Sequence, residues 1–157
     1  MSMRRVWSVV FVLAFAVSCG RSPTSPSSKT PNYAGAWSGA YTVTGCNQTG
    51  GVGAANVCGS IGASAPYTLT LSQSSTSVTG SFFLGSISFP STGGTIEPGG
   101  SLSLQATSVS NGITVIVTWH LNMSGSALTG TISQIWTSNT LSGQANVAGT
   151  INSAAKS

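Results

Sequence analysis

Charge is what this 157-residue chain has least of: five lysines and arginines, one acid, Glu97, and one histidine, His120. Each shortage excludes a chemistry. Acid/base cleavage of a glycoside works through a pair of carboxylates, and Glu97 has no partner. A serine nucleophile has no G-x-S-x-G elbow to stand on. Glu97 also falls in a Gly/Pro-rich turn, and His120 falls on the polar face of a strand, where an exposed or hydrogen-bonded histidine is the ordinary outcome. Metal ligands do not cluster, and Gly51-Val52-Gly53 is followed by no lysine that could complete a phosphate loop. A basic groove for nucleic acid is absent too. Arg4 and Arg5 precede the only long apolar run, which leaves Arg21, Lys29 and Lys156 scattered against Glu97. The composition therefore predicts a non-enzymatic protein with no catalytic residues, no cofactor, no metal and no nucleic-acid partner.

Long hydrophobic runs are equally scarce. Val6 to Val17, interrupted only by Ser8, is shorter than the roughly 18 apolar residues of a membrane span. With two arginines ahead of it, the run has the n-region and h-region of a secretory signal. Ala14-Phe15-Ala16 fits an A-x-A cleavage site for ordinary secretion. Ala16-Val17-Ser18-Cys19 resembles the lipobox of bacterial lipoproteins, although that family prefers leucine where Ala16 stands. The resemblance implies a signal peptide over 1–18 and a membrane anchor on Cys19, made of a diacylglycerol on its thiol and a palmitate-type chain on its new amino terminus. Gly20 stands where the family's inner-membrane retention signal has aspartate, so the implied address is the outer membrane, facing periplasm or cell surface.

Residues 19–32 follow as a tether, three prolines among serines and threonines, too polar to bury surface that would offset chain entropy. With Cys19 assigned to lipid, Cys46 and Cys58 remain. In an exported chain the simplest reading of such a pair is a disulfide closing a glycine-rich loop.

From residue 33 to 157 the apolar period is two. Trp37, Gly39, Tyr41 and Val43 share a face; so do Tyr67, Leu69 and Leu71, then Val78, Gly80 and Phe82, then Ile87 and Phe89, then Leu102, Leu104 and Ala106. Ile113 to Met123 alternates most clearly. Strands are also expected over Leu128 to Gln134 and over Leu141 to Ile151, with Leu141, Ala145, Val147 and Ile151 together on a face. Turn-rich segments at Gln73 to Ser77, Ser91 to Gly94, Pro98 to Ser101, Asn111-Gly112 and Met123 to Ala127 join them. Leu71 to Gly80 and Leu121 to Gly130 look like one hairpin design used twice, each with a polar turn before an apolar-Thr-Gly return.

The expectation is an all-β domain of eight antiparallel strands in an up-and-down barrel, with a β-sandwich as the alternative. Closure is favoured because open sheet edges are usually guarded by charge, and this domain has almost none. Glycines 39, 80, 130, 143 and 149 fall on the apolar face, where they ease coiling. Gly35-Ala36-Trp37 at the start of the first strand resembles the G-x-W of lipocalins and the opening of avidins. That likeness implies an eight-stranded barrel with a long first loop, here Gly45 to Pro66, over its mouth. Lipocalins also set an arginine over the tryptophan, and this chain has no arginine after Arg21.

Trp37, Tyr41, Phe82, Val115, Val117 and Trp119 are the inward residues that would line a pocket for a small apolar or amphipathic ligand. Filling the interior with side chains is the competing use of the same residues. Trp136, which breaks the alternation after Ile135, is expected to cap the barrel. The reading is a lipid-anchored barrel of the cell envelope; the alternative is an interaction module that offers its Ser/Thr-rich outer face to glycan or protein.

Overall fold

The computed structural model describes residues 29–55 and 61–156; the expected signal peptide, Cys19 and Cys58 lie outside them. Eight antiparallel strands follow in order: β1 Gly35–Gln48, β2 Ser64–Ser74, β3 Ser77–Leu84, β4 Ile87–Ile96, β5 Leu102–Ser110, β6 Ile113–Ser124, β7 Ala127–Ser138 and β8 Gln144–Lys156. Each pairs with the next, and β8 pairs back onto β1 to close a barrel. The barrel is realised and the sandwich alternative falls away. Closure leaves no edge strand with unpaired backbone, so a wall almost without charge needs no guards.

The two-residue period places nearly every large apolar side chain inside. Trp37, Trp119, Tyr67, Phe82, Phe89 and Leu69 are among the most completely buried. Three strands change phase where the alternation stops. In β1 the register with β8 slips between Val43 and Gly45, which leaves Cys46 against the core. In β4 the register with β3 slips between Gly80 and Phe82, so Phe89 and then Thr92, Gly94 and Ile96 face inward, with Pro90 and Ser91 at the irregularity. Ser91 to Gly94 is thus a bulged strand rather than the expected turn. Proline, which has no N–H for the ladder, is at home at such a bulge. In β8 a slip beside Asn152 turns Ala154 inward after Ile151.

Leu141 does not share the face of β8. It lies exposed in the connection ahead of that strand, and Gly143 packs there against the backbone of Thr49 and Gly50. The two look-alike hairpins are equivalent in space. Leu71 pairs with Gly80 and Leu121 with Gly130, and each glycine's missing Cβ would strike the carbonyl of the residue before its leucine, Thr70 or His120. Gly94 meets the Ser103 carbonyl in the same way.

Candidate functional site

The two ends of the barrel differ. At the end where β1 begins, Tyr33 is fully buried, and its single hydroxyl proton is shared between the carbonyls of Gly100 (2.8 Å) and Leu121 (3.2 Å). Its backbone N–H donates to Gln73 Oε1 (2.7 Å), and Gln73 Nε2 donates to the Pro31 carbonyl (3.0 Å). Pro31 therefore belongs to the packed body, slightly ahead of the Tyr33 boundary expected from composition. This end is closed.

Trp37 sits just inside that plug. Its indole N–H donates to the Tyr33 carbonyl (2.8 Å), and Lys156 Nζ lies 5.3 Å from its ring centroid. A lysine from β8 thus stands over the tryptophan, where the lipocalin likeness calls for arginine. Gly35 is required by its backbone, whose φ of 129° L side chains rarely adopt, while the Lys156 stem it faces is free to shift aside.

The middle of the barrel is aromatic. Phe82 stacks on Phe89 at 4.3 Å, and Trp119 meets the edge of Phe82 at 5.3 Å and Tyr67 at 5.0 Å. The Tyr67 hydroxyl and the Trp119 indole N–H, both buried, find no hydrogen-bond partner among the described residues. Burial pushes the Tyr67 phenol up from 10.0 to about 12 and raises the Tyr33 phenol as well.

The opposite end is the mouth. The connection from Gln48 to Ser64 begins here with a short 3-10 segment, Gly50–Ala55, whose Val52 N–H donates to the Ser142 carbonyl (3.2 Å). This covers the β8 side. On the β4–β7 side lies a cleft of about 180 Å³, lined by Ile87, Ile113, Val115 and Trp136 with Ser108, Ser110 and Asn111 at its polar border. Trp136 faces inward, half-buried, and donates its indole N–H to Oε1 of Gln134 (3.0 Å).

The structure turns all six expected ligand residues inward but does not gather them into one site. Phe82 and Trp119 meet in the centre, Trp37 belongs to the closed end, and only Val115 borders the mouth cleft. Gln134, buried inside the barrel beneath Trp136, was not among the expected residues. The phase of β7 marks it, since Leu128, Gly130 and Ile132 lead to position 134, but a glutamine in that phase is easily taken for a surface residue. Cys46 packs against the core and has a bonding partner, while its expected partner Cys58 is outside the described residues. His120 and Glu97 are exposed, and no group of three or more metal-ligating side chains forms among the described residues. No family model, curated protein or solved structure matches the chain, so its geometry alone carries the functional reading.

Proposed function

We propose that this chain is a lipid-anchored, non-enzymatic barrel of the cell envelope that binds a small apolar or amphipathic molecule at its mouth. The observation that carries this reading is the asymmetry of the barrel: hydrogen-bonded Tyr33 plugs one end, where the remaining cleft is bordered by the charged Lys29 and Glu97, and the other end holds an apolar cleft beneath Trp136. Such a cleft suits a ligand with an apolar body and one polar group, since Asn111, Ser108 and Ser110 stand at its border. The Trp37–Lys156 pair supports a calycin-like reading of the fold.

Trp136 is the reporter. Titration with an apolar probe such as a naphthalene sulfonate is expected to shift tryptophan emission saturably, and Trp136→Ala should abolish that response; an unsaturable or unchanged signal sinks the ligand. The anchor is tested separately. Mass spectrometry of the mature amino terminus is expected to show acylated Cys19, and Cys19→Ala is expected to release the protein from membranes. The third element is a Cys46–Cys58 disulfide, worth about 3 kcal/mol through the loop it closes. Its sign is a mass increase on reduction and alkylation of the denatured chain.

A further inference from the structure

We propose that the rim of the mouth is a lipid-docking surface, which seats this end of the barrel in the interfacial layer of a bilayer. The large apolar side chains left exposed among the described residues are Phe83 (52%), Val109 (69%), Ile61 (58%), Leu141 (45%) and Ile135 (39%). All five belong to the mouth half. Phe83 pairs with Ser88 beside the Gly85–Ser86 turn, Val109 pairs with Thr114 beside Asn111–Gly112, Ile135 lies near the end of β7, and Ile61 and Leu141 are on the mouth connections. The formal charges of the described body, Lys29, Glu97 and Lys156, are all at the closed end.

The arrangement of these residues selects the occupant. Phe83, Val109 and Ile135 point outward from β3, β5 and β7, and with Ile61 ahead of β2 and Leu141 ahead of β8 they spread around most of the rim rather than forming a patch on one side. A globular partner would cover one side. A second copy meeting this one end to end would cover the rim's tip but leave the outward side chains in water. A planar medium that rises around the rim covers them all, and interfacial elements typically sink about 5–10 Å. A rim without charge also fits a neutral interface, where attachment comes from apolar burial.

Geometry allows this in the lipid-anchored protein, a point that rests on the anchor proposed above. The segment from Cys19 to Lys29 spans at most about 35 Å at roughly 3.3–3.6 Å per residue. A barrel of strands about 12 residues long, tilted by about 40°, stands roughly 30 Å tall. The tether can therefore pass along the wall, so that anchor and rim meet the same bilayer.

The test uses the chain from Gly20 onward without lipid, which keeps the whole buried core between Tyr33 and Ala154. It is floated with neutral phosphatidylcholine vesicles at low and high salt. The expected result is co-flotation that salt does not change. The triple variant Phe83→Ser, Val109→Ser, Ile135→Ser should fall at least tenfold in partitioning with an unchanged melting temperature, and Lys29→Ala with Glu97→Ala should float like the parent. Absence of the parent from the vesicle fraction overturns the proposal, as does equal flotation of the triple variant. A concentration-dependent dimer that the triple variant abolishes, with no vesicle binding, overturns it in favour of self-association. Because Cys19 is absent from this protein, failure of the anchor reading leaves the result untouched.

Discussion

Two glycines hold the barrel to tight tolerances for one steric reason, whereas Tyr67 can lose its hydroxyl without cost. Gly80 and Gly130 are places where one strand's backbone approaches the next too closely for a methyl group. Gly130 also has a φ of 153°, which L side chains rarely adopt. Alanine at either site must push a ladder carbonyl aside, and a loss of about 1–3 kcal/mol in urea unfolding is expected for each. Tyr67 is the opposite case, a full side chain whose hydroxyl lacks a partner among the described residues. Replacing it with phenylalanine should leave neutral-pH stability equal or slightly higher, because a desolvated, unpaired hydroxyl contributes nothing favourable.

The same residue sets an alkaline limit. Its folded pKa of about 12 lies above the ordinary 10.0, so the unfolded chain releases the proton first. Stability is fully present below pH 10 and is lost as pH rises from about 10 to about 12. Melting temperatures across that window should fall less steeply in Tyr67→Phe; Tyr33, raised in the same direction, accounts for part of the slope that remains.

At the scale of elements, alternation made the strands legible and phase changes hid what was missed. β6 could be read in full because Ile113 to Met123 keeps a single phase. β4 could not, because the slip at Pro90–Ser91 gives Ser91 to Gly94 the look of a turn. The repeated hairpin was legible because a steric need, the inward glycine opposite a leucine, leaves the same spacing in both copies. Leu141 misled for the converse reason: its apolar character suggested a core position, but the structure holds it exposed at the mouth.

The plug was invisible in the sequence. Tyr33 is a lone aromatic at the end of a polar segment, and what makes it structural is contact with Gln73, Gly100 and Leu121, far away in the chain. Tyr33→Ala should cost about 3–5 kcal/mol, in line with other large aromatic truncations. Tyr33→Phe, which keeps the ring and loses the hydroxyl's shared hydrogen bond, should cost about 1–2 kcal/mol, and thermal unfolding of the pair separates packing from hydrogen bonding.

Across the whole molecule, the candidate site was only half legible. Periodicity picked out the inward residues correctly, but it carries no information on height along the barrel axis. Trp37 and Val115 therefore looked alike, although one is sealed beneath a plug and the other borders an opening. Height comes from register, and register comes from turns and bulges. Lys156 was hidden for a similar reason: its position over Trp37 exists only because β8 returns to pair with β1. Lys156→Ala should lower stability by about 0.5–1 kcal/mol, and Lys156→Arg should restore it, as measured by urea denaturation at low salt.

The pairing of β1 on both sides also has a mechanical meaning. A pull transmitted through the amino-terminal segment reaches Pro31 and Tyr33 first, then runs along β1, which is bonded to β2 on one flank and β8 on the other. That load shears both ladders lengthwise instead of peeling them bond by bond. A barrel held by its amino terminus is loaded along a strand paired on both flanks, and dragging on that segment should break the Gln73 latch well before it opens the wall.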